Sequence, residues 1–328
     1  MISIITGHST ARRLFIWVEP TVLNALLFAF QRIEIRCYSI GRGYASILFT
    51  TTQNLPIYKF RNPKFNKSEI KPIFVAMTLL PHISEQFDGV IWRMEIDELT
   101  ETIFVEVRNS EEKKVYFGAI NLLNAKTLFK DLSTDERWFT GIEAAYDGVL
   151  LLHFYQSETG PAHKGLLAID ASTGKTLWSN FAYSFDHLCE AGPVLYDARM
   201  QPRKLFLADI KTGATTRIYE PSVYRRFENN IVLPEVKTPE FLPPGMVPVH
   251  AFGNMIHYLQ YNNFRIVSLH ALRGGQLTQS LFVMDGVNKV YEDLLNQEIQ
   301  KIQPEAFILH KNRLIYIKNK SELKILTL

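Results

Sequence analysis

From Phe87 to the C-terminus, apolar and polar positions alternate in short runs, and turn residues separate one run from the next. Alternation with a period of two is the signature of half-buried strands, so this part of the chain predicts an all-β sandwich, barrel or propeller. The clearest run is Gly165 to Trp178, GLLAIDASTGKTLW. Leu166 to Ile169 reads as a strand, Thr173-Gly174 as a tight turn, and a second strand closes on Trp178. The spacing is Ala-x-Asp-x-x-Thr-Gly-Lys-x-x-Trp, filled by Ala168, Asp170, Thr173, Gly174, Lys175 and Trp178. Each type has a structural reason. Asp accepts hydrogen bonds from turn amides two or three residues on, Gly adopts a positive φ, and Trp fills a wedge between neighbouring sheets.

Fainter copies set a period. Ala119, Asn121, Asn124, Lys126 and Phe129 form an earlier one, Asp209, Thr212, Gly213 and Tyr219 a later one, and Asp285, Asn288 and Tyr291 the faintest. Asn121 to Asp170 is 49 residues, Asp170 to Asp209 is 39, and Asp209 to Asp285 is 76, twice 38. Repeats of about 40 residues with several strands each predict propeller blades. The long interval leaves room for an extra blade near Val247, which makes six. Five or seven are the alternatives, because Pro221 to Gly253 carries Pro234, Pro239, Pro243, Pro244 and Pro248 and also reads as a long excursion with few strands. Ala306–Leu309, Arg313–Ile317 and Leu323–Leu328 predict three terminal strands. An N-terminal strand, Asp88–Trp92, is expected to complete that last blade and close the ring.

The first 76 residues differ in composition. They hold ten Lys/Arg against three Glu and no Asp, whereas the remainder holds 26 basic and 30 acidic residues. Within this basic head, Thr21–Phe30 reads as a helix, Ile33–Tyr38 and Ala45–Thr51 as short strands, and Leu55–Ser68 as a linker. No repeat reaches back into it. The domain division is therefore 1–76 and 77–328, with Met77 expected as the natural start and an over-extended reading frame before it. A basic arm for an anionic partner and a small accessory domain are the rivals. The apolar window Leu14–Phe30 is broken by Glu19-Pro20 and Asn24, so it neither spans a bilayer nor resembles a cleaved leader. Cys37 and Cys189 have no metal-type spacing. These features predict a soluble cytoplasmic protein, and basic residues of the body do not interleave with aromatics as nucleic-acid binding requires.

Candidate chemistry is sparse. Glu106 and Arg108 lie two apart on a predicted strand and share a face with Phe104, as a polar-ligand pair or as a surface ion pair. Trp138 and Glu143 flank the entry to an innermost strand, Trp138 as a stacking platform or as packing. His153 sits on the strand Val149–Tyr155, and Asp186-His187 with Glu190 has acid–base composition but no identifiable nucleophile, Cys189 being near only in sequence. Gly274-Gly275 lacks the Lys-Ser/Thr of a phosphate cradle.

Residues 165–178 resemble the blade motif of quinoprotein-type propellers, of the PQQ-like and WD40-like kind. The region Gly89–Asn180, through Gly89-Val90-Ile91-Trp92, Phe104–Arg108, Arg137-Trp138 and Gly165–Trp178, resembles an uncharacterised family of bacterial propeller proteins. The resemblance implies the fold and brings no established activity and no cofactor. Quinone-dependent dehydrogenases with this motif carry a vicinal disulfide, and the two cysteines here are far apart. The expected function is binding or scaffolding, with a hydrolase or lyase acting on a small polar or sugar-like ligand as the alternative. Partner and cofactor are unknown from the sequence.

Overall fold

The computed structural model describes residues 78–157 and 160–328, without the side chain of Pro161, and the backbone of five strands within residues 1–77. The chain divides into two compact units, Met1–Thr78 and Leu79–Leu328. In the first, β1 (Ile2–Thr6) pairs antiparallel with β2 (Leu14–Val18). Strands β3 (Glu34–Ile40), β4 (Tyr44–Thr50) and β5 (Tyr58–Arg61) form an antiparallel meander. The helix expected at Thr21–Phe30 lies outside the described residues.

The second unit opens with β6 (Pro81–Gln86) and continues as antiparallel sheets. The first comprises β7 (Val90–Asp97), β8 (Thr102–Asn109), β9 (Lys114–Asn121) and β10 (Thr127–Leu132). The second comprises β11 (Thr140–Tyr146), β12 (Val149–Ser157), β13 (Gly160–Asp170) and β14 (Thr176–Asn180). The third is β15 (Tyr183–Cys189), β16 (Gly192–Asp197), β17 (Leu205–Ala208) and β18 (Thr215–Ile218). After a short β19 (Ile231–Val232), the fourth sheet contains β20 (Glu235–Lys237), β21 (Ile256–Tyr261), β22 (Phe264–Arg273), β23 (Gln276–Asp285) and β24 (Asn288–Ile299). The fifth is built from β25 (Ile308–His310), β26 (Arg313–Lys318) and β27 (Glu322–Thr327), flanked by β19 on one edge and β6 on the other.

Five sheets stand where the spacing predicted six blades. The extra blade expected near Val247 does not form. Between β20 and β21 lies a single 3-10 turn, Pro239–Phe241, and otherwise no strand. The prolines that remove ladder donors explain this. The strand completing the last sheet also differs. It is Pro81–Gln86, pairing with Glu322–Leu326, while Val90–Trp92 belongs to β7 of the first sheet.

Apolar faces pack sheet to sheet. Ile83, Ile315, Leu323 and Ile325 of the fifth sheet share a core with Ile91, Ile103, Val105 and Ile120 of the first. Phe104 and Phe117 of the first meet Ile142, Leu150 and Ile169 of the second. Leu151, Leu166 and Ala168 of the second meet Leu195, Ala208 and Ile210 of the third, and Leu281 and Leu295 of the fourth meet Leu314 and Tyr316 of the fifth. The inner strands supply both faces, because they run buried almost without interruption, as in Thr102–Val107 and Val149–His153, and successive side chains point to opposite sides.

The outer turns lock neighbours together. Asp170 Oδ1 accepts hydrogen bonds from the Ser172 and Thr173 amides and hydroxyls at 2.6 to 3.1 Å, and Asp209 Oδ1 does the same with Lys211 and Thr212. Gly213, at φ +72°, leaves the space into which Trp178 of the preceding sheet packs, and a Cβ there would lie 2.6 Å from the indole. The Trp178 indole also donates to the Ile210 carbonyl at 2.7 Å. Phe129 lies against Gly174 in the same way one sheet earlier.

One segment ties the sheets at their first strands. The Phe227 amide donates to the Leu188 carbonyl, and the Phe227 ring meets Tyr146 edge-on at 5.5 Å. The backbone amide and side chain of Asn230 donate to Glu98 at 2.6 and 3.0 Å. Strand β19 then pairs with β25, and β20 with β21. Residues 225–237 therefore act as a strap that touches all five sheets within one short segment.

Candidate functional site

First strands β7, β11 and β15 each contain a register shift, at Ile91/Arg93, Ile142/Ala144 and Phe185/His187. The extra residues are Trp92, Glu143 and Asp186. A bulge adds one residue and re-aims a side chain that the pleat would otherwise send to a fixed face. It also explains how Asp186 and His187, adjacent in sequence, come to pair with each other.

Glu106 and Arg108 form a clamp between the first and second sheets. Glu106 is 2% exposed; its Oε1 accepts from Arg108 Nε at 2.8 Å and its Oε2 from the Ile142 amide at 2.8 Å. Arg108 also donates to the carbonyls of Trp138 and Thr140 and lies among the rings of Trp138, Trp92 and Tyr155 at 5.2 to 5.9 Å. A guanidinium whose donors are satisfied within the protein and whose faces meet aromatic rings joins sheets. Trp138 is part of that packing.

Beside the clamp, Glu143 of β11 meets two histidines. Its Oε2 lies 2.9 Å from His163 Nδ1 and 3.1 Å from His153 Nδ1, the latter without hydrogen-bond alignment. The two imidazoles stack at 3.5 Å with 6° between their planes, and Tyr155 stands perpendicular to both. His153 is buried, whereas the His163 side chain is one-third exposed (33%). Burial alone would raise the Glu143 carboxyl, yet the close approach of His153 and His163 brings it below the ordinary range. Burial, together with the adjacent His153, lowers His163. Arg93 pairs with Glu95, whose carboxyl is raised by burial despite that partner. Gly141 makes room: a Cβ there would come within 3.0 Å of Glu106 Oε2 and 3.1 Å of His153 Nε2.

Asp186 and His187 fall elsewhere. Asp186 Oδ2 is 2.6 Å from His187 Nδ1, and Asp186 Oδ1 accepts from Arg203 at 2.7 Å. His187 Nε2 is buried without a hydrogen-bond partner among the described residues. The ring meets Tyr219 edge-on at 4.9 Å and lines a cavity of about 720 Å³ with Glu190, Tyr224, Arg225 and Arg226. Cys189 is fully buried, and its thiol donates to the Gly192 carbonyl at 3.2 Å.

The seven candidate residues thus divide into one group of five, Glu106, Arg108, Trp138, Glu143 and His153, and a separate pair, Asp186 and His187. Sequence reasoning missed His163, which faces His153 across the β12–β13 hairpin. A histidine on each arm of a predicted hairpin was the available signal. It also missed Arg225 and Arg226, because the strap has no repeat to index it.

Five antiparallel sheets of four or five strands in chain order, sharing cores between first and second, second and third, fourth and fifth, and fifth and first, define a β-propeller. Residues 96–178, which contain β8 to β13 and the start of β14, match a family model described as Domain of unknown function (DUF4905). No curated protein matches the chain. Among solved structures the chain is similar to the β-propeller domain of the Trilobed protease from Pyrococcus furiosus, at 8% identity over 86% of this chain and 73% of that one, with a TM-score of 0.25. It is also similar to a eukaryotic initiation factor (10% identity, 96% and 67% covered, TM-score 0.27) and to an endo-arabinase from Bacteroides thetaiotaomicron (12%, 74% and 97%, TM-score 0.22). Likenesses this remote carry no argument about function. Among the described residues, no helix is long and apolar enough to cross a membrane.

Proposed function

We propose that residues 77–328 form a five-bladed propeller, closed by β6 on β27, that works as a binding module for a small polar anionic ligand. The observation that carries this reading is the cavity of about 720 Å³ beside the third sheet, with His187, whose Nε2 is buried and without a hydrogen-bond partner among the described residues, in its wall. Its size suits a small molecule. Arg225 and Arg226 supply guanidinium donors beside the carboxylates of Glu190 and Glu228, Tyr219 and Tyr224 supply ring faces, and Asp186 fixes the orientation of the imidazole. The reading includes a reducing, cytoplasmic setting, supported by the free buried thiol of Cys189. Hydrolase or lyase chemistry is the weaker reading, since the nearby thiol is buried and bonded to a carbonyl.

The test is a calorimetric and thermal-shift screen of the full chain against carboxylates, phosphates and neutral sugars. An anionic compound should raise the melting temperature, and Arg226→Ala and His187→Asn should each weaken its binding about tenfold or more. Binding of neutral sugars with no dependence on either residue would refute the reading.

A further inference from the structure

We propose that Glu143, His153 and His163 form a binding site for a first-row divalent transition metal such as zinc, distinct from the ligand cavity. One oxygen and two nitrogens, all mutually within 4.8 Å, come from the three successive strands β11, β12 and β13. Zinc bonds of about 2.0–2.2 Å to nitrogen and oxygen place tetrahedral donors about 3.3–3.5 Å apart. The present separations of 2.9 and 3.1 Å from Glu143 Oε2 are a few tenths of an ångström shorter, so the carboxylate is already within reach of an ion shared with either ring.

Two further observations point to a cation. His153 is buried, and neither of its ring nitrogens makes a hydrogen bond among the described residues, an expensive arrangement for a polar group that has no other role. The charges around it also leave one carboxylate over. Arg108 neutralises Glu106 and Arg93 pairs with Glu95, whereas the recorded ion-pair partners of Glu143 are the two imidazoles.

The stacked rings define how capture proceeds. Parallel imidazoles direct their in-plane lone pairs side by side, so both cannot reach one ion in this orientation. His153 is packed and stays; His163, one-third exposed, turns its ring toward the ion and leaves the stack. Two histidines and one carboxylate leave a coordination position for water on the exposed side.

The experiment uses the untagged full chain, stripped with chelator and titrated with zinc chloride by calorimetry, with cobalt(II) chloride followed by visible absorption. The expected result is saturation at one ion per chain and a cobalt band of low-symmetry, four- or five-coordinate character. His163→Ala and Glu143→Gln should weaken zinc by about tenfold or more and abolish that band. Substituting the exposed His82 by Ala should change neither. Both test variants keep the buried His153, and their metal-free melting temperatures report whether they are folded. No saturable uptake by the native chain, an unchanged affinity in either folded variant, or an equal loss in His82→Ala would overturn the proposal.

Discussion

Glu106 illustrates how a single residue can serve the fold more than the site. Its carboxylate receives one hydrogen bond from its own strand partner Arg108 and one from the Ile142 amide of the next sheet. Removing its charge leaves the Arg108 guanidinium, 12% exposed, without its counter-ion. Breaking a buried pair at one partner typically costs about 3–5 kcal/mol. Glu106→Gln should therefore lower the unfolding free energy of the second unit, read from a urea titration, by about 3–5 kcal/mol, while Glu95→Gln, in a more open pair, should cost far less. Equal losses would show that the clamp contributes nothing special. Gly141 belongs to the same scale, because its missing side chain is what lets the carboxylate and the His153 ring approach one another.

Among the elements, the strap from 225 to 237 has the largest consequence. Asn230 holds it to Glu98, beside His310. Burial opposes the Glu98 carboxylate, but the hydrogen bonds from Asn230 and His310 outweigh it and bring the carboxyl down to about 2. A carboxyl whose folded value lies below its unfolded one, about 4.3, stabilises the fold above the unfolded value. That contribution is lost as the pH falls through the folded value. Glu98→Gln should then flatten the dependence of stability on pH between about 4.3 and 2, and amide exchange in residues 226–237 should quicken at neutral pH. An unaltered acid limb would remove Glu98 from the account of acid stability.

At the scale of the whole molecule, the pairing of β6 with β27 joins the start of the second unit to its end. It brings Ile83 into the core with Ile315, Leu323 and Ile325, and it sets Phe87 against Gly118. A chain beginning at Met77 keeps this strand; one beginning at Asp88 exposes the edge of β27. The shorter chain should melt at lower temperature and aggregate with rising concentration, as an unpaired sheet edge does. Identical melting and identical elution on size exclusion would separate closure from stability.

The all-β character and the turns around Asp170 and Asp209 were legible because they are local: a period of two, an acceptor two or three residues before its donors, and a glycine where φ is positive. The terminal strands were legible for the same reason. Tertiary structure alone decided the rest. Asp88–Trp92 is the more apolar stretch and Pro81–Gln86, Pro-His-Ile-Ser-Glu-Gln, the more polar, and only the register against Glu322–Leu326 selects the second. The interval of 76 residues fits two repeats arithmetically, but its proline-rich half holds only the short β19 and β20 and a 3-10 turn, and residues 225–237 of it become a strap whose partners lie on five different sheets. Bulges decide the clusters, since a one-residue shift at Glu143 or Asp186 changes which face a side chain occupies without changing the alternation that announces the strand. By itself the sequence determined what each segment becomes, because hydrogen bonding to near neighbours and alternating burial are properties of short stretches. Which segments meet, and so which carboxylate finds which histidine, depends on contacts distant along the chain, and these exist only once the sheets have packed.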